Sequence, residues 1–242
     1  MFASRRRTLF LGLGGVAFVA GIALLSLGLY SALNQDNGPP VSDAPVVRVS
    51  DILTPTATPA AATTTRIPTP TPLPPFGDEA YTMVIDKLGI DAPVETFGLD
   101  DQQVPQIPTG PDAAQVVAWY NFSAKPGTGS NAVFAGHVTW YGTAVFYRLT
   151  DLGLGDEIRL KGADGTELTY KVSNVFRVLS TDPNARALMF GTSQDIMTIL
   201  TCDGVFTKDP NNHVTGGDYD HRLVIRADLV NVTHSTGAAG AG

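Results

Sequence analysis

The sequence predicts a mainly β protein: a small closed or nearly closed barrel of about eight strands with short helical turns. One transmembrane helix and a Pro/Thr-rich linker precede it. Three observations predict this. From about Asp78 onward, short β-branched and aromatic runs alternate with Gly, Pro, Asn and Asp punctuation. Near the N-terminus lies a block of 26 residues without a charge, Thr8 to Leu33. Between the two, proline recurs too often for helix or sheet.

Residues 1–7 form a basic N-terminus containing Arg5, Arg6 and Arg7. As a helix, residues 8–33 would span roughly 39 Å, more than the ~30 Å hydrocarbon core. That is longer than a secretion-signal core of roughly 7–15 residues, and only the weak site Ser31-Ala32-Leu33 follows. The block therefore reads as an uncleaved signal anchor, with a cleaved signal as its rival. The arginines hold the N-terminus in the cytoplasm, which puts everything after Leu33 outside the cell. Residues 34–77 read as an extracellular stalk. In fully extended polyproline geometry it would approach ~130 Å. Its Thr/Pro content also suits O-glycosylation. Residues 78–232 form the globular domain, expected to be soluble and active alone, and 233–242 a disordered tail.

Within the domain, strands are expected at 81–85, 116–120, 131–135, 157–160, 166–172, 175–179, 196–201 and 222–230. Ala163 to Thr166 supplies a hairpin turn. Short helical turns fit at 143–149 and 183–190, the second opening on Pro183. Residues 203–220 read as a polar solvated loop. Its aspartates, with His213 and His221, match no metal-ligand spacing, so no metal and no cofactor are expected.

Charge narrows the function. A net charge of -7 argues against nucleic-acid binding, which needs basic surface to neutralise phosphates. The single cysteine, Cys202, excludes an internal disulfide and a cysteine-rich metal site. A lone cysteine is more often a buried core residue. Cys202, however, ends the run Thr198-Ile-Leu-Thr-Cys202, where a strand holds a nucleophile rigidly yet accessibly. His137 sits at another strand end, in Phe134-Ala-Gly-His-Val138, where Gly136 permits close approach beside the imidazole. Arg222 opens the apolar run 222–230 and presents fixed donors suited to an oxyanion. Arg226 lies four residues on, on the same strand face, and is its rival.

These three elements resemble the motifs of sortases: a TLxTC-type strand end, an upstream Gly-His and a downstream arginine, in the order His, Cys, Arg. Trp119-Tyr120, Lys125 to Gly129, Val145-Phe146 with Leu149, and Gly155-Asp156 match as well. Ile199 replaces the leucine of the motif. The resemblance covers roughly residues 80–230 and fits several classes, D-, E- and F-like among them. It implies a membrane-anchored extracellular cysteine transpeptidase with a sortase-like eight-stranded barrel. Cys202 would attack an LPxTG-like sorting signal of a secreted protein, forming a thioacyl intermediate. His137 would be the general acid, Arg222 the oxyanion donor, and Thr201 a substrate contact. The acyl group would pass to an amine of a cell-wall precursor or a pilin lysine. Two rival readings are compatible with the same residues: a secreted cysteine hydrolase of wall peptides, and a non-catalytic membrane-tethered binding module.

Overall fold

The computed structural model describes residues 38–53 and 81–234. The expected transmembrane helix, most of the stalk and the end of the tail lie outside the described residues. Among those described, no helix is long and apolar enough to cross a membrane.

Eight strands close a barrel: β1 (Tyr81–Ile85), β2 (Ile90–Phe97), β3 (Val117–Tyr120), β4 (Asn131–Ala135), β5 (Glu157–Gly162), β6 (Thr166–Leu179), β7 (Ile196–Lys208) and β8 (Gly217–His234). Around the barrel they run β1-β2-β3-β4-β7-β8-β6-β5. Alternation along the strands turns one apolar set inward. Met83, Ile85, Phe134, Leu160, Tyr170 and Ile199 are fully buried and fill the interior.

The strand count agrees with expectation, but the strands differ. Residues 166–172 and 175–179 are one strand, β6, which continues through a register shift between Val172 and Asn174. β2 was not expected, because Asp91, Pro93 and Glu95 interrupt its apolar pattern. It forms because Ala92 and Val94 alternate into the core between β1 and β3. The expected loop 203–220 is largely a hairpin. β7 runs on to Lys208 and β8 starts at Gly217, paired at Phe206↔Tyr219, Thr207↔Asp218 and Lys208↔Gly217. The Phe206 and Tyr219 rings meet edge-on, 5.1 Å between centroids. At Gly217 a Cβ would lie 2.2 Å from the Thr207 carbonyl oxygen, so only glycine lets the hairpin close.

The packed body begins at Pro39, well ahead of the expected Asp78. Residues 39–53, read from sequence as stalk, form a strap on the barrel. Val46 bridges Arg177 in parallel, beside the part of β6 that has outrun β5. The Val47 amide donates to the Arg177 carbonyl and the Arg177 amide to the Pro45 carbonyl, both at 2.8 Å. A short helix, α1 (Val49–Leu53), follows. Val49 is fully buried in a second apolar cluster with Phe176, Val178, Leu188 and Val224. Prolines thin out here, and Val46-Val47 and Val49 supply the apolar side chains that dock; the proline-dense runs start only after Leu53.

Candidate active site

Three neighbouring strands, β4, β7 and β8, bring the candidate residues together. β4 and β7 are parallel, with Ala135 opposite Leu200, so Gly136-His137 leaves β4 at the level where Thr201-Cys202 continues β7. β7 and β8 are antiparallel, with Cys202 directly opposite Arg222. Directly opposed residues share a face, with Cβ atoms ~4.5–5.5 Å apart. Cys202, His137 and Arg222 all line one groove of about 760 Å³. The 3-10 turn Ala185–Met189 walls it on one side and residues 104–109 on another. A smaller cavity of about 440 Å³ also borders Cys202 and His137, lined by Trp140, Tyr141, Phe206 and Tyr219 among others.

The groove wall is held from within. Asn131, fully buried at the start of β4, donates to the Leu188 and Phe190 carbonyls, each at 3.0 Å, and accepts from the Thr198 hydroxyl at 2.8 Å. One amide side chain thus ties β4, β7 and the 3-10 turn together.

Cys202 is half-buried and is the free thiol of the chain. Burial pushes the thiol above its ordinary range; Arg222 opposes the shift, and the carboxylates of Asp218 and Asp203 add to it. His137 is 9% exposed. Its Nε2 lies 2.9 Å from the Pro108 carbonyl oxygen, and its ring stacks on Trp140 at 4.6 Å. Because a carbonyl only accepts, Nε2 carries the hydrogen. Burial lowers the His137 pKa below the ordinary imidazole value, and the Pro108 contact partly opposes this.

Arg222 is held by its own hairpin. One terminal nitrogen donates to both Asp218 carboxylate oxygens, at 2.8 and 2.7 Å. The other reaches the Tyr219 and His221 carbonyls at 2.9 and 3.0 Å. Its Nε–H has no partner among the described residues. Arg226 lies elsewhere, opposite Thr198, with its guanidinium 5.9 Å from the Phe176 ring centroid and its buried Nε without a hydrogen-bond partner among the described residues. Thr201 also lines the groove. Its hydroxyl donates to the Gly136 carbonyl at 2.8 Å, and the residue is buried. The hydroxyl is therefore committed to fixing the Gly136-His137 corner against β7.

Gly136 is required by space. A Cβ there would lie 2.6 Å from the Phe146 ring and 2.9 Å from the Val145 side chain. Gly136→Ala is expected to cost about 1–3 kcal/mol of stability through overpacking. It should also displace His137, so catalytic rate should fall in protein that is still folded. Thermal unfolding alongside turnover checks both effects.

Sequence reasoning missed Pro108, Trp140 and Asp218. Pro108 and Trp140 act only through folding of loops that carry no motif. Asp218 precedes Arg222 by four residues, and that i,i+4 spacing on one strand was a usable signal.

A family-level description of the sortase domain matches residues 83–230, more than half of the chain. No curated protein matches the chain by sequence. Among solved structures, the chain is similar to a sortase D5 transpeptidase of Clostridium perfringens, with 20% identity over 63% of this chain and 79% of that one, at a TM-score of 0.44. It is also similar to a lid mutant of sortase A from Corynebacterium diphtheriae, with 23% identity over 63% and 70%, at 0.46. A third is sortase E1 of Streptomyces coelicolor with a tripeptide in the active site, with 20% identity over 64% and 89%, at 0.47.

Proposed function

The chain belongs to the sortase family of cysteine transpeptidases, and from that premise we propose that Cys202, His137 and Arg222 carry its reaction. The substrate is an LPxTG-like sorting signal on a secreted protein, and the acceptor is an amine of a cell-wall precursor or a pilin lysine. The domain works outside the cell, held by the 8–33 anchor. The observation that carries this reading is the convergence of the three side chains on one groove, with Cys202 and Arg222 in direct register.

The Cys202 thiolate attacks the scissile carbonyl carbon; a C–S bond forms and the carbonyl oxygen takes the negative charge. The Arg222 guanidinium stabilises that oxyanion. The intermediate collapses by breaking the C–N bond. The departing amine takes a proton from His137, leaving a thioester and a neutral imidazole. An incoming amine then attacks the thioester, its proton passes to His137, and the thiolate departs. Pro108 holds Nε2, which leaves Nδ1 to carry the transferred proton.

Incubating the protein with an LPxTG-type peptide and an amine tests this. The expected product is the exchanged amide. Hydrolysis alone would favour a wall-peptide hydrolase, and no acyl-enzyme at all a binding module. The choice of arginine has its own test. Arg222→Ala should lower kcat/KM by about 10²–10³, the usual cost of one oxyanion donor. Arg226→Ala should act through stability, since Arg226 lies over Phe176 and away from the groove. A larger kinetic loss at Arg226 would reverse the assignment.

A further inference from the structure

The strap at 39–53 changes the path from anchor to enzyme. Within it, the amide of Ser42 donates at 3.0 Å to a carboxylate oxygen of Asp203. Ser42 and Asp203 are both buried, at 6% and 2% exposure. Asp203 follows Cys202 directly and is ion-paired to Arg177, the residue that also holds Pro45 and Val47 by its backbone. Beyond it, the Val49 amide donates to an Asp182 carboxylate oxygen at 2.9 Å. The chain from the N-terminus therefore joins the folded body beside the nucleophile.

We propose that the membrane tether of this enzyme is only the stretch from Leu33 to Ser42, and that the Pro/Thr-rich run after Leu53 contributes nothing to its reach. The proposal rests on the 8–33 anchor reading given above. Nine residues extend at most ~32 Å, and crossing from Ser42 past Asp203 to the Cys202 backbone adds roughly 10 Å. With the strap docked, this length limits the thiol to about 40 Å from the bilayer. A free stalk of residues 34–77 would allow ~130 Å. Residues 54–80 instead connect α1 to β1 and can change length without moving the active site. The enzyme accordingly serves amines presented close to the membrane and leaves those displayed deep in the wall out of reach.

The chain has one cysteine, so Cys202 can carry a single donor fluorophore in the full chain reconstituted in liposomes with acceptor-labelled headgroups. The same Gly/Ser segment of about 20 residues, a flexible coil, is inserted either between Asn37 and Gly38 or between Ala61 and Ala62. The first insertion should lower energy transfer at least twofold; the second should leave it unchanged. Equal loss from both insertions would overturn the proposal. Hydrogen exchange gives a check that needs no label. The amides of Val47 and Val49 should exchange orders of magnitude more slowly than in an unfolded chain, and unprotected exchange would count against the strap. Alkaline carbonate extraction separates the two readings. Release of the chain from the vesicles sinks the anchor, and the tether with it. Retention combined with loss of transfer from the second insertion sinks the tether alone.

Discussion

Cys202→Ala is expected to abolish acyl-enzyme formation and transpeptidation outright while the barrel stays folded. The thiol is half-buried at the groove wall, and an alanine there removes one sulfur without opening the interior. Intact-mass analysis after incubation with a sorting peptide checks the adduct, and thermal unfolding checks the fold. Turnover retained in the variant would take the nucleophile away from Cys202.

The environment also sets a pH dependence. Burial raises the Cys202 pKa above the ordinary thiol range and lowers that of His137 below the ordinary imidazole range. The form that reacts, thiolate with imidazolium, is then a minor one at every pH. Its population is constant between the two values and falls outside them. kcat/KM should show a broad plateau, with an acid limb below the usual imidazole value of ~6.5 and an alkaline limb above the usual thiol value of ~8.5. Alkylation of the free enzyme by a neutral reagent should keep climbing through pH ~8.5, because it needs the thiolate alone. Arg222→Ala removes the one favourable charge identified beside the thiol, so it should move the alkylation midpoint further up. A midpoint at or below the usual thiol value would contradict the buried setting of Cys202.

Much of this site was legible in the sequence because its residues bound apolar runs, although only His137 lies past a strand end: Cys202 and Arg222 sit within β7 and β8, which continue as a polar hairpin. Thr198 to Cys202, Gly136-His137 and Arg222 each end or open an apolar run, and a period-two pattern locates such ends well. That the three runs are neighbours was not legible, since the order β4-β7-β8 comes from barrel closure over long sequence distances. β2 was invisible because its buried face is only Ala92 and Val94. The hairpin beyond Cys202 was invisible because its pairing depends on Gly204 at φ +87° and Gly217, among polar residues that look like loop. At Gly204 the left-handed backbone favours glycine, and a Cβ would also lie 2.1 Å from an Asp220 carboxylate oxygen, which would have to move. The choice between Arg222 and Arg226 needed the register, which sets one opposite Cys202 and the other opposite Thr198.

The strap was the least legible part, and its removal should have the second large effect. A chain beginning at Asp78 contains the whole barrel but lacks residues 39–53. It loses Val49 from the cluster around Phe176, Val178, Leu188 and Val224; burying one such side chain contributes about 1.5–3 kcal/mol. It loses the paired backbone bonds to Arg177 and the donors to Asp182 and Asp203, each worth about 1 kcal/mol net. Ordering the strap offsets part of this gain. What is not offset is the position of Asp203, a buried carboxylate left one donor short beside the nucleophile. Loss of these contacts, with that carboxylate left under-satisfied, should lower the stability of the barrel. The chain from Asp78 should therefore unfold at markedly lower denaturant than one from Pro39, and should lose turnover even where it remains folded. Val49→Asp in the full chain separates the two contributions. It places a carboxylate in the apolar cluster while keeping Ser42 in the sequence, so stability should fall by a similar amount. If the chain from Asp78 matches the chain from Pro39 in both unfolding midpoint and kcat/KM, the strap is bound too weakly to matter to the enzyme.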